Sequence, residues 1–231
     1  LQSATRETVS AEDAKNNFYW QDYLGDVDYV RIVVRLARKY FEETGGNPSD
    51  LKLFINDYNL ESDWDDNGKM KSMLKWIERW EEDGITKIDG IGTQMHVSCY
   101  MDPMTQKSKE DHIVKMLELM ASSGKLIKIS ELDMGVVGTD GIDVKTEDIT
   151  FEQEQAMAQY YNFIVRKYFE IIPVAQQYGI THWSPTDSPA NSGWRANSPI
   201  GLWNLEYSRK PAYAGFADGL AGIKSDIIEA E

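Results

Sequence analysis

LIKISELDM, residues Leu126–Met134, decides the reading of this chain. Leu126 to Ser130 carry the apolar pattern of a short buried strand, and the pattern ends on the carboxylate Glu131. Ahead of it lies a helical stripe, Ile113, Met116, Leu117 and Met120, closed by Gly124. Ser108 with Asp111 has the spacing of a capping box at that helix's start. Behind it, Thr150 and Gln153 form a second such box before Ala156, Tyr160, Phe163 and Ile164, and Pro173 breaks the continuation.

The same plan repeats outward in both directions. Residues 26–43 read as a helix with Val30, Val33, Val34, Ala37 and Phe41 on one face, ended by Gly45 and Gly46. Leu51 to Asn56 (LKLFIN) is the first strand. Asn67 caps a helix whose stripe is Met70, Met73, Leu74, Ile77 and Trp80, stopped by Gly84. Residues 87–92 (KIDGIG) form the second strand, leaving through Thr93, Gln94, Met95 and His96. Gly179 to Trp183 (GITHW) is the fourth, and a last helix begins near Pro211.

Strands that alternate with helices predict an α/β fold with a parallel sheet. Right-handed crossovers then put the helices on one side of a sheet that curls. A complete (β/α)8 TIM barrel needs eight such units and about 250 residues. Four βα units and a leading helix predict about the second half of one. A doubly wound open sheet lacks its usual mark here, a Gly-rich phosphate turn after a strand. Residues 1–19 are poorly patterned, 20–222 carry the half-barrel pattern, and 223–231 form a polar tail. The absence of Met at Leu1 suggests a start partway through a longer protein.

A charge of −14 opposes binding to nucleic acid and to an anionic membrane surface. No apolar run approaches the roughly 20 residues of a membrane span, and no signal peptide is visible. The lone Cys99 rules out an intrachain disulfide.

In a barrel of this type the chemistry sits at the C-terminal strand ends. Those ends deliver Asn56, Asp57, Tyr58, Asn59 and Glu61; then Gln94 and His96; then Glu131 and Asp133; then Trp183 and Asp187, with Trp194 and Arg195 in the loop behind. Carboxylates, amides and indoles suit a sugar: rings stack on its apolar face, amides bond its hydroxyls, and carboxylates cleave a glycosidic bond. His96, Glu131 and His182 come from different strands without a ligand-spaced pair, so no metal is expected. His112 reads as surface. Met70, Met73, Met116 and Met120 read as core, and Trp76 and Trp80 as helix packing.

Four strand-end motifs carry a family likeness. They are LKLFINDYNLE (Leu51–Glu61), IDGIGTQMH (Ile88–His96), ISELDM (Ile129–Met134) and THWSPTD (Thr181–Asp187), the last followed by GWR (Gly193–Arg195). In this order the sequence resembles glycoside hydrolase family 10, the barrel endo-β-1,4-xylanases, from about Trp20 to Leu220. The resemblance implies that Glu131 is the nucleophile, that His96 hydrogen-bonds it, and that Asp133 orients His96. A hydrogen bond donated by His96 favours the charged carboxylate a nucleophile needs. Asn56, Tyr58 and Gln94 match positions lining the sugar site, and Trp183 and Trp194 match the indoles enclosing the sugar, with Arg195 beside them. No cofactor is implied.

Two departures stand out. Ser188, Pro189, Ala190, Asn191 and Ser192 lengthen the loop between the two tryptophans. The family's acid/base Glu, which follows an Asn at the end of the fourth barrel strand, has no match; Glu7 and Glu12 follow neither an Asn nor a strand. The expectation is hydrolysis of internal β-1,4-xylosidic bonds by a retaining double displacement, with the acid/base supplied by an N-terminal half outside the chain. The chain alone is then expected to be inactive, with that half or a second copy as partner and xylan or a xylo-oligosaccharide as ligand. Secretion, the cell surface or the periplasm is the implied location. The alternatives are a non-catalytic carbohydrate-binding fragment and a related barrel glycosidase acting on β-glucan.

Overall fold

A computed structural model describes residues 18–25 and 27–224 of the chain. Glu7, Glu12, the expected helix start at Asp26 and nearly all of the expected tail lie outside the described residues. A short helix α1 (Gln21–Leu24) leads into α2 (Asp28–Glu43). Then follow β1 (Phe54–Asp57), α3 (Gly68–Glu81), β2 (Gly90–Thr93), β3 (His96–Tyr100), α4 (Pro103–Ser122), β4 (Leu126–Val137), α5 (Phe151–Ile171), β5 (Gln177–His182) and α6 (Pro211–Leu220).

Among the described residues, the named strands pair in parallel. β1 pairs β2; β2 and β3 pair successive parts of β4; β5 pairs the other side of β4. These are four strand positions of a barrel, because β2 and β3 are one course of chain interrupted at Gln94 and Met95. Met95 is fully buried with φ of 62°, a conformation costly for a bulky side chain. That break is why two strands stand where the pattern predicts one.

β4 is the spine of the fold. It runs seven residues past the expected Ser130, because Leu132, Met134 and Val136 continue the buried set begun by Ile127 and Ile129. These pack with Met70, Met73, Met116, Met120 and Trp80 in one core, where Trp76 also packs. Lys128 and Ser130, on the opposite face, are only half-buried.

Local chemistry explains the helix boundaries and corrects two of them. Thr150 and Gln153 make the reciprocal capping box of α5, as expected. α4, however, starts at Pro103, not near Ser108. Asp102 caps it by accepting from Thr105 N at 2.8 Å, and proline fits a first helical turn whose N–H has no partner to lose. Ser108 instead donates to Asp63, and Asp111 pairs with Lys107. Asn67 precedes α3 in a left-handed conformation and makes no side-chain cap. Its amide donates to Leu60 O and His112 O, tying the β1 loop to α4.

The sheet curls tightly enough for its outer strands to meet. The rings of Phe54 on β1 and Tyr178 on β5 lie 4.7 Å apart across the concave side. Phe54 reaches there by crossing Gly90, where an added Cβ would fall 2.1 Å from the ring. β5 carries an extra residue opposite Ile127–Lys128, with Gly179 at φ of 133°. Tyr168 of α5 stitches this irregularity: its hydroxyl donates to Ile127 O and accepts from Tyr178 N and Gly179 N. α6 lies close against α5 because Gly215 has no Cβ to strike Ala158 O.

The long loop between β5 and α6 is anchored by a buried ion pair. Lys210 Nζ lies 2.6 Å from Asp187 Oδ1 and also donates to Pro199 O, while Gly201 N donates to the same Asp187 oxygen. Lys210→Met would leave Asp187 uncompensated and should cost about 3–5 kcal/mol in urea denaturation. Adding Asp187→Asn should recover a large part of the loss; a single-variant loss below about 1 kcal/mol would refute the anchor.

Candidate active site

β4 contains one residue more than either neighbour at the point that matters. From Ile129 to Asp133 it takes four steps while its partner takes three, from Thr93 to His96. Against β5 it takes three steps, Ile129 to Leu132, while β5 takes two, Ile180 to His182. A bulge of this kind re-aims side chains at strand ends. Ser130 and Glu131 consequently both lie on partly open surface, and the strand is buried throughout from Leu132 to Val137. Across the gap, the left-handed Met95 buries its own side chain and leaves Gln94 and His96 facing the same cleft.

The cleft has a volume of about 520 Å³ and is lined by Tyr58, Asn59, Gln94, His96, Glu131, Trp183, Trp194 and Arg195. Seven of the nine sequence-predicted site residues thus meet in one place. Asp133 lies just beneath them, with no exposure at all. Its Oδ1 is 3.2 Å from His96 Nδ1 and 3.4 Å from Arg195 Nε, and its Oδ2 accepts from Trp194 Nε1 at 2.6 Å. His96 turns its other nitrogen, Nε2, toward Glu131 Oε2 at 3.6 Å, so the expected hydrogen bond between them is not formed in this structure. The imidazole is flanked by Trp194 at 4.5 Å and Trp183 at 6.3 Å. Glu131 is the one carboxylate lining the cleft among the described residues.

Asn56 stands apart. It faces the concave side of the sheet, with Ser130 Oγ donating to its Oδ1 at 2.8 Å, and lines an apolar groove beside α2 instead of the cleft. Tyr58, at the cleft's edge, is half exposed and held by Lys69, whose Nζ sits 3.7 Å from the ring centroid while pairing with Asp57. The loop between Trp183 and Trp194 delivers Trp194 by local bonds: Ser188 Oγ and Ser192 Oγ both donate to Trp194 O. Asn197 fastens the loop to Glu147. Arg195, in a left-handed conformation, crosses Gly135 to reach Ser98 Oγ. Asn59, one of the strand-end residues to which the sequence assigns no role, lines the cleft, and Ser98 beneath Arg195 has no signal in the sequence.

His182 belongs to the core instead of the cleft. Its Nε2 is 3.1 Å from Tyr161 Oη, and Phe216 packs edge-on. Burial pulls its pKa from the usual 6.5 down to about 4. Among the described residues, no three His, Cys, Asp or Glu side chains converge as a metal site requires.

Two outcomes follow. Trp194→Phe keeps a ring but removes the N–H donated to Asp133, and should cost about 1.5–3 kcal/mol, the range for hydrogen bonds to charged groups; an unchanged urea midpoint would show the bond to be inert. For His182, the unfolded chain takes up a proton below about 6.5 that the folded chain refuses until about 4. Its contribution is therefore complete above the unfolded value and lost as pH falls. Wild type should lose roughly 2 kcal/mol more between pH 7.5 and 5 than His182→Gln.

The comparisons with known proteins identify the family. The profile described as Glycosyl hydrolase family 10 matches residues 5–219. Endo-beta-1,4-xylanase Xyn10C of Cellvibrio japonicus is 32% identical over 92% of this chain and 35% of its own length. Exoglucanase XynX of Acetivibrio thermocellus is 28% identical over 92% of this chain and 17% of its own. Among solved structures, the catalytic core of xylanase A superposes with a TM-score of 0.68 at 26% identity, covering 87% of this chain and 56% of that one. A mutant xylanase 10C from Cellvibrio japonicus in complex with xylopentaose gives 0.67 at 28% identity, covering 90% and 41%. The chain thus spans roughly half or less of the proteins it matches. With its curled parallel sheet, its strand-end cleft and a profile match over almost its whole length, the chain belongs to glycosyl hydrolase family 10.

Proposed function

We propose that this chain supplies the nucleophile side of a retaining endo-β-1,4-xylanase active site. The observation that carries this reading is Glu131, a lone carboxylate in a cleft walled by Trp183 and Trp194 and backed by the His96–Asp133 pair. In the first step a Glu131 oxygen attacks the anomeric carbon as the bond to the leaving oxygen breaks, giving a glycosyl ester. Water then cleaves the ester and regenerates the carboxylate. His96 faces Glu131, Asp133 lies behind His96, and the two indoles offer faces for a pyranose ring.

The first step also needs an acid to protonate the leaving oxygen, at a carboxyl separation of about 5–5.5 Å in retaining enzymes. That acid comes, on this reading, from polypeptide outside the described residues, the complementary half of the barrel. Each outer strand, β1 and β5, has a single hydrogen-bonded neighbour among the described residues, which leaves an edge for that half or for a second copy. The protein acts outside the cytoplasm, secreted, at the cell surface or in the periplasm; no helix among the described residues is long and apolar enough to cross a membrane.

The test exploits the leaving group. A 2,4-dinitrophenyl 2-deoxy-2-fluoro-xylobioside needs no acid, because dinitrophenolate departs unprotonated. It should add one glycosyl group to Glu131, located by peptide mass spectrometry, in wild type and not in Glu131→Gln. Labelling elsewhere would remove Glu131 from the role. Unactivated xylan should release no sugar with the chain alone and should do so once the complementary half is added. A β-glucan substrate is the second reading, favoured by the likeness to an exoglucanase; xylan and cellulose assays on the reconstituted enzyme decide between them.

A further inference from the structure

The concave face of the sheet carries two matched pairs and one unmatched charge. Phe54 and Tyr178 meet ring against ring. Asn56 leans over Gly92, and its Oδ1 accepts from Ser130 Oγ. Lys128 stands in the same row: Asn56 lies beside Gly92, Gly92 beside Lys128, and Lys128 beside Gly179. Both sheet neighbours of Lys128 are therefore glycines, and a Cβ added at Gly179 would meet nothing within 4 Å. Lys128 is half-buried and makes no hydrogen bond or ion pair among the described residues. In this it stands alone. Every other described lysine that is at least partly buried has a carboxylate within ion-pair distance.

In a closed barrel this face becomes the interior. Side chains from alternate strands fill that space, which takes Lys128 out of water. A buried ammonium is tolerated only beside a hydrogen-bonded counter-charge. The concave face offers none, since Phe54, Asn56, Ser130 and Tyr178 are all neutral. A second copy would not supply one either. Two copies joined edge to edge, β1 of one to β5 of the other, would be related by a two-fold axis along the barrel. That axis sets the two Lys128 side chains at one level, facing each other across the interior, where like charges repel.

We infer that the concave face closes on a distinct complementary half whose inward strand face carries a carboxylate for Lys128, and that the same lysine keeps two copies of this chain from closing on each other. The inference rests on the half-barrel reading and chooses between the two occupants that the open edges of β1 and β5 would accept. The chain covers 56% of one matched structure and 35% of one curated relative, which leaves room for such a half in proteins of this kind.

The experiment measures association of the full 231-residue chain by sedimentation velocity and native mass spectrometry at physiological ionic strength. A second copy serves as the probe, because one substitution gives it the missing carboxylate. Wild type alone and Lys128→Glu alone should stay monomeric across the micromolar range. Their equimolar mixture should form a one-to-one heterodimer roughly tenfold or more tighter than either homodimer. Lys128→Met, which removes the charge from both sides, should self-associate more tightly than wild type. Net charge cannot imitate this order: Lys128→Glu is more acidic than the −14 chain, so overall repulsion alone would favour the wild-type pair. A wild-type homodimer as tight as the mixture overturns the inference, and so does Lys128→Met that associates no better than wild type. Absence of association in every sample also overturns it, because the face then fails to close even with its charge matched or removed. Labelling of Glu131 by the dinitrophenyl glycoside needs no closure, so the same preparations judge the nucleophile separately.

Discussion

The buried carboxylate of Asp133 is the constraint on which the site depends. With no solvent to share its charge, it needs protein partners, and it gathers three: His96 from β3, and Trp194 and Arg195 from the loop after β5. A buried charge left unpaired would be costly by several kcal/mol. One group thus fixes the placement of an indole through a hydrogen bond and lies against an imidazole and a guanidinium. Glu131, two residues earlier on the same strand, faces the other nitrogen of the histidine that lies against Asp133.

This arrangement needs both a buried and an open carboxylate within three residues, which a regular strand cannot arrange together with Ser130 and Leu132 as they stand. The extra residue in β4 resolves it. It lets Ser130 and Glu131 stay on open surface and sends Leu132 into the core with Asp133 beneath the cleft. Met95 makes the matching adjustment on the neighbouring strand, in a backbone conformation that its side chain disfavours. Irregular backbone of this kind persists only where surrounding packing over-determines it, and both irregularities lie against the fully buried Ile129, Leu132 and Met134.

The half-barrel character shapes what the cleft can do. The cleft wall holds the carboxylate of Glu131, the histidine and the indoles, while β1 and β5 each keep one edge unpaired among the described residues. The closeness of Phe54 and Tyr178 shows how strongly the sheet is already bent.

The sequence by itself determined the alternating units, the core faces of the helices, the capping box at Thr150 and the residues from strand ends that share the cleft. These depend on local periodicity and hydrogen-bonding preference, which a single stretch of chain expresses. It misplaced the start of α4, because Ser108 and Asp111 have capping-box spacing while Asp102 and Pro103 have the actual geometry. It grouped Asn56 with the cleft, although β1's pleat turns that side chain to the concave face. Only the tertiary structure decided the course of β4 through Glu131, the bond from Trp194 to Asp133, and the pairing of Asp187 with Lys210. Register and burial are set between segments distant in sequence, and the demand of a buried charge for partners is felt only once the sheet has closed over it.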